Sequence, residues 1–208
     1  MTGLARSAER ADGLRRQGAR AVQASLLDPD ALARAVAGQD AVVNLATCIP
    51  VGAAAIKARS WREDDQIRTD GSRILVDAAL RQQVGRLVQE AVTFVYPDRG
   101  DEWITEETAP APNHRSQAAT MAATAQVSRF TSGGGSGVVL RFGQFYGPDR
   151  ASAEMLAGAR RGKAVVLGKP GGWISPLRPE DAAAAVVAAL GCGPGIYNVA
   201  EPPVRRAD

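Results

Sequence analysis

Asp40-Ala41-Val42-Val43-Asn44-Leu45-Ala46-Thr47 carries the strongest fold signal in the chain. It is a short, nearly unbroken apolar run rich in β-branched residues, and it stops where Cys48-Ile49-Pro50 breaks the pattern. A strand apolar on both faces belongs inside a parallel sheet covered by helices on either side.

Working outward, strands and helices alternate. Upstream, Gly3 to Arg6 is expected as a strand stub, Ser7 to Gln17 as a helix that Ser7 caps, and Ala21 to Ala24 as the next strand. Asp28-Pro29-Asp30 opens a helix to Val36, with Pro29 suited to the first turn. Downstream, a helix is expected over Ile67 to Gln83, with Ile67, Ile74, Leu75 and Ala78 on one face. A strand at Arg86 to Gln89, a helix at Ser116 to Thr131 and a strand at Gly137 to Phe142 follow. The tail gives a helix at Ala151 to Arg161, a strand at Ala164 to Leu167, a helix at Pro179 to Leu190 and a strand at Ile196 to Val199. This alternation predicts an α/β domain with a doubly wound parallel sheet.

Composition narrows the function classes. With 208 residues, 45% of them hydrophobic and 23% charged, the chain suits a folded domain and not a disordered one. The net charge is +3, but the basic residues are scattered and no basic block is interleaved with aromatics, so a nucleic-acid partner is not expected. The longest apolar helical run, Ala182 to Leu190, is far shorter than the roughly 20 residues that span a bilayer. Two distant cysteines, Cys48 and Cys192, argue against a disulfide framework, and a cytoplasmic location is the default. One histidine and two isolated cysteines do not make a structural zinc site.

Seven short motifs stand in a fixed order: Leu4-Ala5-Arg6-Ser7, Leu27-Asp28-Pro29-Asp30-Ala31-Leu32, Val43-Asn44-Leu45-Ala46-Thr47, Leu75-Val76-Asp77-Ala78-Ala79, Val95-Tyr96-Pro97, Leu140-Arg141-Phe142-Gly143 with Tyr146-Gly147-Pro148, and Pro179-Glu180-Asp181-Ala182. In this order and spacing they resemble the extended short-chain dehydrogenase/reductase superfamily, in its NAD-dependent epimerase/dehydratase branch. The resemblance covers nearly the whole chain. It implies a Rossmann-like fold, with a dinucleotide-binding part over residues 1–150 and a small C-terminal substrate lobe over 151–208 interleaved with the last sheet elements. It also implies a nicotinamide cofactor, a small hydroxylated or carbonyl substrate, and a homodimer formed through the two long helices.

Residue by residue, the resemblance places Arg6 and Ser7 beside the adenosine ribose. A guanidinium there pairs with a 2′-phosphate, so Arg6 favours NADP over NAD. Ser25 matches a position where relatives usually carry an Asp that contacts adenine, and Leu26 beside it is a candidate cofactor-binding residue. Ala46 and Thr47 lie at the carboxyl end of a central strand, the edge where ligands bind in open α/β sheets. Thr93 and Tyr96 are the candidate catalytic residues.

The chemistry departs from the family. Relatives use a Tyr-x-x-x-Lys pair, in which lysine lowers the tyrosine pKa and tyrosine moves the proton. Here Tyr96, Tyr146 and Tyr197 are followed four residues on by Gly100, Arg150 and Glu201. Ser116 and Thr120 stand where the pair belongs, and Ala91 replaces the accompanying hydroxyl residue, leaving Thr93 as its substitute.

Other constellations weigh less. Ser132-Gly133-Gly134-Gly135-Ser136-Gly137 lacks the lysine of a phosphate loop and reads as a connector. Cys48 with His114 could form a nucleophile and base, against the commoner outcome of a small buried thiol. Trp61, Trp103 and Trp173 line either a substrate pocket or the core of the lobe.

The resemblance also implies that a first strand and its glycine loop should precede Gly3 to Arg6 and stand between that strand and Val42 to Thr47. Two strand edges are then left facing each other, and each unsatisfied buried backbone group costs about 1 to 3 kcal/mol. Either the chain begins upstream, or the strands close the gap, or another subunit supplies the strand. The first is favoured because Thr2 to Arg6 begins mid-strand. Three functions stay open: an enzyme of atypical chemistry, a non-catalytic dinucleotide-binding sensor or scaffold, and a truncated product.

Overall fold

The computed structural model describes residues 1–112, 115–162 and 171–205. In chain order the elements are β1 (Thr2–Ala5), α1 (Ala8–Arg16), β2 (Arg20–Gln23), α2 (Pro29–Val36), β3 (Ala41–Asn44), α3 (Arg62–Gln66), α4 (Ser72–Arg81), β4 (Arg86–Val92), α5 (Arg115–Ser132), β5 (Ser136–Phe142), β6 (Gln144–Phe145), α6 (Arg150–Arg160), β7 (Trp173–Ile174), β8 (Pro176–Leu177), α7 (Pro179–Ala189), β9 (Gly195–Val199) and β10 (Val204–Arg205). Two helix starts follow from their caps. Ser7 Oγ accepts from the Arg10 amide at 3.3 Å, and Asp28 Oδ1 accepts from the Ala31 amide at 3.0 Å with Pro29 in the first turn.

The main sheet runs β3-β4-β5-β9, all parallel. In the two central strands, β4 and β5, the alternating side chains are buried on both faces. Leu87 and Val139 join a core with Leu32, Leu75, Val76 and Phe130, while Val88, Val138 and Leu140 join another with Leu177, Ala182 and Ala189. The α/β Rossmann-like class expected from the sequence is the class observed. β9 comes from the last part of the chain, so residues beyond 150 complete the sheet.

β1 and β2 form a parallel pair of their own, and among the described residues no ladder joins this pair to the four-stranded sheet. The outward edges of β1 and β3 therefore carry backbone groups without strand partners. Leu4, Val43 and Leu45 are exposed beside them.

Three elements differ from expectation by more than a residue or two at one end. β3 ends at Asn44, because its side chain turns back to accept from the Ala46 amide at 3.3 Å and the chain leaves the ladder. β4 runs on through Glu90 to Val92, three residues past the expected end, because the polar pair Gln89-Glu90 finds buried partners. The helix expected over Ile67 to Gln83 begins earlier, at Arg62. It contains one wider turn of π type at Ile67–Gly71, and Arg68 on that turn is buried. The expected strand at Ala164 to Leu167 lies outside the described residues.

The triple-glycine connector joins α5 to β5. Gly134 has φ +95, and a Cβ on Gly135 would run into the Phe130 ring, so the turn is tight for steric reasons.

Candidate functional site

The carboxyl ends of β1, β3, β4, β5 and β9 carry the polar side chains of greatest interest, in three groups.

The first group bridges the two sheets. Arg6, just past β1, donates to the carboxylate of Glu63 at the start of α3, and both side chains are about half exposed. The hydrogen bond from Arg6 holds the Glu63 carboxyl below its ordinary value, and Glu63 in turn holds the guanidinium above its own. The Cys48 thiol lies beside them. Burial pushes it up first, and the Glu63 carboxylate adds to that. The Cys48 amide donates to Asp64 Oδ1 at 2.7 Å, which fixes the loop after β3.

The second group is buried behind the first. Arg68 donates through Nε to Asp64 Oδ2 at 2.9 Å, and through Nη1 and Nη2 to the two oxygens of Glu90 at 2.8 and 3.1 Å. Burial works against the charge on Arg68, but Glu90 and Asp64 outweigh it and hold the guanidinium above its ordinary value. Burial pushes the Glu90 carboxyl up, and Arg68 offsets only part of that. Asn44 Nδ2 donates to Gln89 Oε1 at 2.8 Å, and Gln89 Nε2 donates to the Glu90 carbonyl at 2.9 Å, so the polar chain crosses from β3 to β4.

The third group ties β4, β5 and β9. Arg141 Nη1 donates to the Tyr96 hydroxyl at 2.6 Å, and Tyr96 donates to Asn198 Oδ1 at 2.8 Å. Thr93 opens the short turn between β4 and Tyr96, and its carbonyl accepts from the Tyr96 amide at 3.1 Å.

The residues named from the sequence fall as follows. Arg6 and Ser7 sit together at the end of β1, with the Ser7 hydroxyl engaged in capping α1. Ser25 Oγ accepts from the Leu27 amide at 3.1 Å, and Leu26 packs on the core near Gly71. Ala46 and Thr47 lie on the loop after β3, the Ala46 amide held by Asn44. Thr93 and Tyr96 are separate from these, at the end of β4. Ser116 and Thr120 lie on α5, and Thr120 is buried. His114 is outside the described residues, and Cys48 faces Glu63 and Arg6 instead. Trp61 Nε1 donates to the Ala55 carbonyl at 2.9 Å, Trp173 Nε1 donates to Asp101 at 2.7 Å, and Trp103 is 80% exposed. Among the described residues, no three His, Cys, Asp or Glu side chains gather to hold a metal. No described helix is long and apolar enough to cross a membrane.

The sequence left Glu63, Arg68, Glu90, Arg141 and Asn198 unassigned. Asp64 and Arg68 at i, i+4 were the one local signal; the other contacts join residues distant in sequence.

The Arg6 guanidinium at the end of β1 already holds an anion, the Glu63 carboxylate, on its exposed face. A phosphate oxygen is recognised by the same donor geometry, so the side chain at this position is chemically suited to an anion.

Residues 1–138 match a family model described as NAD(P)H-binding. A 3-diazoavenalumate denitrifying reductase from a Streptomyces species is 32% identical over 201 residues, covering 91% of this chain. The chain spans 64% of that curated relative's length. Among solved structures, the NAD-bound double mutant of dTDP-glucose 4,6-dehydratase from Streptomyces venezuelae superposes with a TM-score of 0.79 at 19% identity, over 98% of this chain and 67% of the other. The UDP-glucuronic acid 4-epimerase of Bacillus cereus, in complex with UDP-glucuronic acid and NAD, gives 0.80 at 16% identity, over 98% and 70%. The two superpositions establish a shared fold.

Proposed function

This chain belongs to the NAD(P)H-binding family, and from that premise we propose that it is a nicotinamide-dependent reductase whose substrate takes up a hydride without a proton from the usual tyrosine. One observation carries this: α5 has Ser116 and Thr120 at the positions where the family resemblance puts tyrosine and lysine, and Thr120 is buried. An alkoxide forming beside that helix would meet neither the phenol nor the ammonium of the usual pair. A cationic electrophile becomes neutral when it accepts two electrons with a proton, so it needs no such donor. The relative named as a denitrifying reductase of a diazo compound points to the same class of acceptor.

The residues that would hold the cofactor are Arg6 and Ser7 after β1, Ser25 and Leu26 after β2, and Ala46 and Thr47 after β3. When bound, the reduced nicotinamide supplies the hydride. Arg6 would give NADP its advantage over NAD through the 2′-phosphate. Thr93 and Tyr96 would face the substrate. Residues 1–150 would form the cofactor side and 151–208 the substrate side, with β9 shared between them. Pairing of two copies through α4 and α5 and a cytoplasmic location complete the proposal.

Loss of NADPH absorbance on mixing the protein with benzenediazonium, and release of benzene, tests it. Oxidation of NADPH at a rate proportional to protein supports the reductase. Tight NADPH binding with no oxidation of any cationic or carbonyl acceptor supports the non-catalytic sensor, which the same absent pair would allow. Failure to bind NADPH or NADH defeats both.

A further inference from the structure

Arg141 is 2% exposed, yet no carboxylate among the described residues pairs with it. Arg68, equally buried, has two. The guanidinium of Arg141 lies 4.8 Å from the centre of the Tyr96 ring and gives Nη1 to the phenol oxygen, while its Nε is buried with no acceptor. A buried cation served only by a neutral phenol has lost its hydration without gaining an opposite charge.

The direction of the hydrogen bonds is fixed by chemistry. Arginine can only donate, so the phenol oxygen accepts from Arg141 and must send its own proton elsewhere. That proton goes to Asn198 Oδ1, at 2.8 Å. Asn198 sits opposite Arg141 in the β5-β9 register, and its amide donates to Glu106 Oε1 at 2.6 Å. Glu106 is thus engaged by backbone and forms no ion pair with Arg141. Tyr96 is only half-buried, whereas Arg141 is sealed behind it. A positive charge therefore backs a hydroxyl that can point to the ligand side of the sheet, in place of pointing to a neutral amide.

We propose that Tyr96 anchors a carboxylate of the substrate, with Arg141 as the positioning residue that holds the phenol as a donor and supplies the opposite charge from behind. This rests on the proposed substrate side at the carboxyl end of the sheet. A carboxylate oxygen would replace Asn198 Oδ1 as the acceptor of the Tyr96 proton, and it would gain the attraction of a guanidinium poorly screened by water. Exposed Phe94, beside Tyr96, and Phe145, on the strand after β5, favour an aromatic acid over an aliphatic one.

Isothermal titration of the full chain with cinnamate and with the uncharged cinnamamide tests the proposal. Wild type is expected to bind the acid about 10-fold or more tighter than the amide. Tyr96→Phe keeps the ring and removes the hydroxyl, and it should bring the two affinities together. Arg141→Met should do the same where circular dichroism shows it folded, and Arg141→Lys should restore part of the preference. A structural role alone would weaken both probes equally and leave their ratio unchanged. Equal affinities in wild type, no binding of the acid, or a preference that survives Tyr96→Phe overturns the proposal. The titration needs no nicotinamide and no turnover, so it fails or succeeds separately from the reductase assay.

Discussion

Arg68 and Glu90 form a two-pronged ion pair between the wide helical turn and the central strand, at 2.8 and 3.1 Å, with both side chains buried. Such a pair is expensive to break from one side, because the remaining charge has neither water nor partner. Arg68→Met should therefore destabilise the fold by about 3 to 5 kcal/mol, read as a shift in the urea unfolding midpoint. Replacing Arg68, Asp64 and Glu90 together with apolar residues should cost far less than the single change. If the single and triple variants unfold alike, the pair does not bind these elements together.

Arg6→Ala should cut the preference for NADPH over NADH. A charge-assisted contact to phosphate contributes about 1.5 to 3 kcal/mol, or roughly 10- to 150-fold in affinity. Fluorescence titration with both cofactors measures the ratio, and an unchanged ratio would remove Arg6 from the phosphate site. Glu63→Gln leaves Arg6 without its resident anion and should raise NADPH affinity while leaving NADH affinity unchanged.

Cys48 should be a slow thiol. Burial, then the neighbouring Glu63 carboxylate, raises its pKa above the ordinary thiol range, so little thiolate exists near neutrality. In a Cys192→Ser background, the iodoacetamide reaction of Cys48 should show a titration midpoint above that of a free thiol. Glu63→Gln should lower that midpoint. A midpoint at or below the free-thiol range would contradict the burial.

Asp149 caps α6, accepting from the Ser152 amide at 2.9 Å and from its hydroxyl at 2.8 Å, and these bonds depress its pKa. A carboxyl with a depressed folded value stabilises the fold above its unfolded value, and that contribution is lost as the pH falls through the folded one. Asp149→Ala should cost about 1 kcal/mol near neutrality. The gap between variant and wild type should close in acid, below the ordinary carboxyl range, as followed by thermal unfolding across pH.

Gly143→Ala should destabilise by about 1 to 3 kcal/mol. A Cβ there would run into the backbone carbonyl of Ser175, and backbone cannot swing aside as a side-chain tip can. Thermal unfolding reads the change, and a neutral substitution would mean that the β6-β8 junction yields.

The parts of the fold written locally were legible. Ser7, Asp28 and Pro29 mark helix starts, and the apolar runs of β3 and β5 mark strands, of which β5 is buried and β3 lies at a sheet edge with Val43 exposed, because capping and side-chain patterning act over a few residues. Glu90 misled the strand boundary, since a charge in an apolar run looks like an end until Arg68, 22 residues away, is known to meet it. The two-residue strands β6, β7, β8 and β10 are too short to show a period. At the candidate site, Arg6 and Tyr96 could be named from motif positions. Their partners could not: Arg141 lies 45 residues from Tyr96 and Asn198 lies 102, separations that only the sheet order closes.

The separate ladder of β1 and β2 has a consequence for how the molecule breathes. Strands paired only with each other among the described residues, and tied to the rest by Leu26 on the core and by the Arg6 to Glu63 contact, can open without unravelling β4 and β5. Hydrogen exchange should then divide the chain into two cooperative units, the amides of residues 2–23 trading with solvent well before those of 86–92 and 136–142. The adenosine end of the site would be assembled from the softer unit and the phenol end from the harder one. Ligand binding at the first would register as slowed exchange there, with little change at the second.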